Sequence, residues 1–281
     1  MEITPDKSWN ALLEDLLKNP GAVLVMGTSD VGKSTLIKWL LKGLLQNGKK
    51  VCLVDADVGQ TSLGLPGTIS KKTFRKLKDM EKFTPEEMIF PGVLNPAKNF
   101  AGMIDGTKEM AEACANKEIP YTLIDTTGLV GGEVGKALKL AKVRAIKPRH
   151  VVAIEREEEL HHILPHLKGV RVHSLKASPL VKSRSPVQRA AYREQKFAGY
   201  FKGSKVIKVP LKGVEFSYKG KEFDPEGNAI QYGGLLGLNR EDRTLALGLY
   251  IGVERETLLV KTPFVEVEKI NRIIIGDIVL V

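Results

Sequence analysis

The chain has 281 residues, 43% of them hydrophobic, with 43 lysines and arginines against 33 aspartates and glutamates, a formal net charge of +10. That length allows one large domain, a small companion and a sizeable core. No apolar run approaches a membrane span, which excludes an integral membrane helix. Two cysteines, Cys52 and Cys114, make neither a disulfide framework nor a metal-ligand spacing, so they are expected as buried small hydrophobes in a reducing cytosol. Met1-Glu2-Ile3-Thr4-Pro5-Asp6 lacks a basic region followed by an apolar core, and the expectation is a soluble cytoplasmic protein without an export signal.

Trp9 to Lys18 reads as a short amphipathic helix with Leu12, Leu13, Leu16 and Leu17 inward, ended by Asn19-Pro20-Gly21. Residues 1–20 are thus a short helical extension. The run Ala22-Val23-Leu24-Val25-Met26 is a strand. It is followed by Gly27-Thr28-Ser29-Asp30-Val31-Gly32-Lys33-Ser34-Thr35, which fits G-x-x-x-x-G-K-[ST] and opens a helix marked by Leu36, Ile37, Leu40, Leu41, Leu44 and Leu45. The strand aims the loop, and the helix N-terminus turns free N–H groups and a positive dipole end toward an anion. Lys33 supplies a point charge to the β/γ-phosphates and Ser34 a hydroxyl for Mg²⁺, so the segment predicts binding of a nucleoside triphosphate.

Lys50 to Val54 is a buried strand that delivers Asp55-Ala56-Asp57-Val58-Gly59-Gln60 beside the phosphate loop. One carboxylate there can hold the metal or its waters, and another can take a proton from an attacking hydroxyl. Ser34, Asp55, Asp57 and Gln60 are the expected metal surroundings. Residues 68–100 are less regular, with a basic patch at Lys71, Lys72, Arg75, Lys76 and Lys78. A helix from about Lys98 to Asn116 leads to the strand Tyr121-Thr122-Leu123-Ile124-Asp125 and then Thr126-Thr127-Gly128. A helix from about Glu133 to Ile146 and a strand from His150 to Ile154 follow. Strands alternating with helices predict an α/β fold, a P-loop doubly wound parallel sheet with its ligand at the strands' carboxyl ends. His161, His162 and His166 have near-metal spacing, but Pro165 interrupts them and no cysteine or carboxylate completes a site.

Eleven basic residues, from Lys168 to Lys208, stand against the single acid Glu194. Concentration in one segment, rather than scatter, points to a polyanion partner, a nucleic acid. Within it Ser185-Pro186 starts a helix that projects Arg189 and Arg193 from one face, where two forked donors match the oxygens of a transferring phosphoryl group. From about residue 204 the pattern becomes short β-type runs. The expected organisation is a P-loop domain with its lid over residues 21–203 and a small all-β C-terminal domain over 204–281.

Thr28-x-Asp30-Val31-Gly32-Lys33-Ser34-Thr35, Asp55-x-Asp57-x-Gly59-Gln60, and Arg189-x-x-x-Arg193 before Gly199-Tyr200-Phe201 resemble the polynucleotide 5′-hydroxyl kinases. That group contains the RNA-kinase subunit of the eukaryotic mRNA 3′-end and tRNA splicing machinery and its archaeal relatives. Gly234-Leu235-Leu236-Gly237-Leu238 and Ile275-Gly276-Asp277-Ile278 extend the resemblance to the C-terminal part. It implies ATP- and Mg²⁺-dependent transfer of the γ-phosphate to the 5′-OH of RNA, with single-stranded DNA as a further acceptor, Asp57 as general base, and Arg189 and Arg193 in a lid. Eukaryotic members carry an extra N-terminal β domain, whereas about twenty residues precede the first strand here, so no protein partner is inferred. They also stack a tryptophan on a nucleobase where this chain has Leu129. The alternative is a regulatory or metal-delivery NTPase, in which Asp125-Thr126-Thr127-Gly128 is a switch and water the acceptor. Asn116-Lys117-Glu118 lacks the aspartate of a guanine-reading motif and precedes Asp125.

Overall fold

A computed structural model describes residues 7–115 and 118–280. The readings made on Met1–Asp6 and on Asn116-Lys117 lie outside the described residues. In chain order the elements are α1 (Lys7–Lys18), β1 (Ala22–Met26), α2 (Lys33–Gln46), β2 (Val51–Ala56), β3 (Ile69–Phe74), β4 (Glu87–Ile89), α3 (Phe100–Cys114), β5 (Tyr121–Thr126), α4 (Gly132–Ile146), β6 (His150–Glu155), β7 (Arg171–Lys176) and α5 (Pro186–Phe201). There follow β8 (Lys205–Pro210), β9 (Glu215–Tyr218), β10 (Lys221–Glu222), β11 (Gly234–Arg240), β12 (Arg243–Glu254), β13 (Thr257–Thr262) and β14 (Arg272–Val279).

The first seven strands form one sheet in the order β4-β3-β2-β5-β1-β6-β7. From β2 to β7 neighbours run parallel, and β3 and β4 add an antiparallel edge. Helices cover both faces, which is why β1, β2 and β5 are almost wholly buried and read as continuous apolar runs rather than alternating ones. Leu12 and Leu16 of α1 join the core beside α2, with Trp9 edge-on to Trp39 at 5.6 Å. The last seven strands make a second sheet, β10-β9-β14-β11-β12-β13-β8, antiparallel except where β14 meets β9. The α/β fold with a parallel P-loop sheet and an all-β C-terminal sheet is therefore observed.

Phe90 joins the two sheets. It is fully buried among Leu235, Leu247 and Ile278 of the second sheet and Phe197 and Phe201 of α5, and its N–H donates to Thr244 Oγ1 at 2.9 Å. The Asp277 N–H donates to the Gly92 carbonyl at 2.7 Å, and Arg243 bonds Glu87 and Glu109.

Two expectations are corrected. Cys52 on β2 and Cys114 at the end of α3 form a disulfide, with Cα atoms 5.8 Å apart. Their separation of 62 residues concealed the contact, and the cysteines no longer argue for a reducing compartment. The basic patch after residue 68 is also partly internal. Lys71 and Lys72 lie on β3 and are buried, Lys71 paired with Glu87 at 2.7 Å and Lys72 donating to the Asp79 carbonyl at 3.2 Å. Arg75, Lys76 and Lys78 remain exposed.

Candidate active site

The loop after β1 brings the chain into α2 through Gly32, whose φ of 95° is left-handed and costs a residue with a Cβ dearly. No side chain caps α2, so its first N–H groups face the loop interior, free for an anion. Lys33 is buried and arches back to donate to the Thr28 carbonyl at 2.7 Å. Ser34 Oγ donates to Asp125 Oδ2 at 2.6 Å. Asp125 stands at the end of β5, directly beside Asp55 on the parallel β2.

Three buried oxygens around this loop lack any hydrogen-bond partner among the described residues: Asp125 Oδ1, Thr28 Oγ1 and Thr127 Oγ1. Unsatisfied polar atoms are costly inside a protein, and here they share a cradle with the free amides of α2. Burial, with the charge of Asp55 next, pushes the Asp125 carboxyl up to about 7 against the opposing pull of Lys33. Gly128 brings the strand end against the phosphate loop, since a Cβ there would lie 2.6 Å from the Ser29 amide nitrogen.

The Asp55-to-Gln60 loop holds itself in shape. Asp55 Oδ2 accepts from Thr61 Oγ1 and from the N–H groups of Ser62 and Leu63, and Oδ1 accepts from the Asp57 N–H. Asp57 Oδ1 accepts from the N–H groups of Gly59 and Gln60 at 3.1 Å each. Its Oδ2 takes no hydrogen bond among the described residues. Burial raises the Asp57 carboxyl, Lys33 working against it. Gln60 Oε1 accepts from Arg184 at 3.2 Å and its amide donates to the Gly59 carbonyl. Asp55 and Gln60 are thus engaged by protein groups, whereas Asp125, which the sequence reading treated only as a switch, joins Ser34.

α5 begins as its sequence requires. Ser185 caps it, accepting from the Gln188 N–H at 3.2 Å while Gln188 Oε1 accepts from the Ser185 N–H, and Pro186 fills the first turn. Arg189 reaches the phosphate loop and pairs with Asp30 at 2.6 Å. Burial works to raise Asp30, but hydrogen bonds from the Arg184 N–H and from Arg189 outweigh it and hold the carboxyl below its usual range. Tyr192 OH donates to the Thr61 carbonyl at 2.7 Å, seating the helix on the loop after β2. Arg193 is half-buried and has no bonded partner among the described residues.

Two lysines of α4 escaped the sequence reading. Lys139 Nζ is buried and donates to Thr126 Oγ1 at 2.7 Å and to the Thr127 carbonyl at 2.5 Å. Lys142 Nζ is buried without a hydrogen-bond partner among the described residues, and burial lowers it to about 7. Their signal was charge on the inward face of α4, among Leu138, Leu140 and Val143. Leu129 packs against the core, and His161 and His162 bond the carbonyls of Glu158 and Val130.

A strand, a glycine-bounded loop and a helix N-terminus carrying lysine and serine, with a strand-end aspartate bonded to that serine, define a P-loop nucleoside triphosphate-binding protein. Residues 27–203 match the family model described as the mRNA cleavage and polyadenylation factor CLP1 P-loop, and the chain belongs to that family. It is 37% identical over 199 residues to a polyribonucleotide 5′-hydroxyl-kinase of Pyrococcus furiosus, covering 70% of this chain and 55% of that protein. A protein of the same name from Methanocaldococcus jannaschii is 36% identical over 217 residues, 75% of this chain and 58% of the other. The polyribonucleotide 5′-hydroxyl-kinase Clp1 of Danio rerio is 31% identical over 194 residues, 64% and 43%. The chain therefore spans little more than half the length of the archaeal relatives. A chain from the structure of a wild-type Clp1p–Pcf11p complex superposes with a TM-score of 0.74 at 14% identity, covering 97% of this chain and 79% of the other, which shows a common fold.

Proposed function

We propose that this protein transfers the γ-phosphate of ATP to the 5′-hydroxyl of RNA, with single-stranded DNA as a further acceptor. The observation that carries this reading is the Ser34–Asp125 bond beside an arched Lys33, under a helix whose Arg189 reaches the phosphate loop, in a family whose curated relatives bear that kinase name. Lys33 binds the phosphates. The bare Asp125 Oδ1 and the Ser34 hydroxyl fit a hard cation; Mg²⁺ held by them would neutralise phosphate charge, a role that Asp55 and Gln60 are too engaged to share. Asp57, fixed through Oδ1 and raised above its ordinary value by burial, takes the proton of the 5′-hydroxyl as that oxygen attacks phosphorus and ADP departs. Arg189 and Arg193 close over the transferring group. Residues 21–203 serve as the kinase unit with its lid and 204–281 as a small β-rich C-terminal domain.

Incubation with γ-labelled ATP, Mg²⁺ and a 5′-OH oligoribonucleotide tests this directly. Label is expected on the oligonucleotide. Label released only as free phosphate would favour the NTPase reading, with Asp125-Thr126-Thr127-Gly128 as its switch. In Asp57→Asn, transfer is expected to disappear while nucleotide binding, measured by titration, stays near wild type; wild-type turnover would remove Asp57 from the mechanism.

A further inference from the structure

At the amino ends of β6 and β7, the end of the sheet opposite the phosphate loop, three side chains from three elements converge. His150 is wholly buried, and its Nε2 lies 2.7 Å from the Asn19 carbonyl oxygen. A carbonyl only accepts, so Nε2 carries the proton and Nδ1 presents a bare lone pair. Nδ1 stands 3.1 Å from His173 Nε2 and 3.9 Å from Asp15 Oδ2, and His173 Nε2 stands 3.6 Å from the same oxygen. The separations of 3.1, 3.6 and 3.9 Å bracket the ~3.4 Å edge of a tetrahedron with bonds of about 2.1 Å, the length at which zinc holds imidazole nitrogen and carboxylate oxygen.

A hydrogen bond between the two imidazoles explains only part of this. It leaves Asp15 Oδ2 buried with no hydrogen-bond partner among the described residues, whereas the other carboxylate oxygen is held by Arg171 at 2.5 Å and by the Asn19 amide at 2.9 Å. The supports of a metal site are present: a backbone carbonyl fixes the tautomer of His150, and donors on its far oxygen orient the carboxylate. The Asp15 and His173 side chains are 28% and 16% exposed, so solvent borders the cluster as a source of the fourth ligand. We propose that Asp15, His150 and His173 bind one Zn²⁺ that fastens α1 to the edge of the parallel sheet.

The test is a titration of metal-stripped, nucleotide-free protein with Co²⁺, whose tetrahedral complexes absorb strongly in the visible. One tetrahedral Co²⁺ per chain, displaced by Zn²⁺, is expected, with Zn²⁺ shifting the ring resonances of His150 and His173. Asp15→Asn and His173→Asn should each weaken binding by more than about 100-fold, and His161→Asn should not. Zn²⁺ should raise the Tm of the wild type and not of Asp15→Asn. Absence of tetrahedral Co²⁺ in the folded wild type, or a band that survives both ligand variants, overturns the proposal. Should the variants fail to fold, the wild-type resonances decide it, and unshifted His150 and His173 signals count against the site.

Discussion

Burial holds Asp125 near a pKa of about 7, so around neutral pH it is shared between acid and carboxylate. An unfolded aspartate titrates near 3.9, so the folded protein binds this proton more tightly. That contribution to stability is complete below pH ~4 and is lost as pH rises to about 7. Asp125→Asn, neutral throughout, is therefore expected to raise the Tm of nucleotide-free protein at pH 8 by on the order of 5 °C. The gain should shrink toward pH 4, and phosphoryl transfer should be lost at every pH. Melting curves across that range check it, and a difference independent of pH would contradict it. Arg189 poses a different question, because its present partner is Asp30. If it leaves Asp30 for the phosphoryl group chiefly in the transition state, Arg189→Ala should lower the maximal rate by about 10³-fold or more with little change in ATP or RNA affinity. Lysine should recover only part of the loss, lacking the planar fork. A normal rate at saturating RNA would instead make the side chain a grip on the RNA backbone.

The disulfide ties β2, the strand that delivers Asp57, to the end of α3. Closing a 62-residue loop reduces the freedom of the unfolded chain, an effect of about 4 kcal/mol in the loop-entropy model. Reductant should lower the Tm of the wild type and leave Cys52→Ser, already lower, unmoved; equal melting with and without reductant would show that the bond contributes nothing. The elements best read from sequence are those whose signals are local: the apolar run of β1, the glycine spacing before α2, and the Ser185-Pro186 start of α5. β7 was missed because it is an edge strand with mostly exposed residues, Arg171 and Lys176 among them, a device that discourages pairing with another chain. In the site, the phosphate loop and Asp57 were legible from their motifs. The Ser34–Asp125 bond spans 91 residues and needed the parallel register of β2 and β5 to appear.

Over the whole molecule, the basic segment from Lys168 to Lys208 is distributed over β7, the lead into α5, α5 itself and β8. Arg171, Arg189 and Lys208 are paired with Asp15, Asp30 and Glu254, leaving eight basic residues of the segment without an acidic partner among the described residues. Single-stranded oligonucleotide affinity should fall with salt along a log–log slope no steeper than about −6, at roughly −0.7 per neutralised phosphate. Base sequence should matter little. A flat response would place the acceptor strand elsewhere. The Phe90 junction bears on how the molecule is made. The parallel sheet has all its strands by residue 176, yet the cover of Phe90 is added later, by α5 and then by strands that reach Ile278. A ribosome adding ~5–20 residues each second leaves that aromatic incompletely covered for on the order of 5–20 s after the sheet is complete. During synthesis, then, a finished nucleotide cradle waits beside an open apolar edge, and the protein is most exposed to wrong association before its second sheet has been translated.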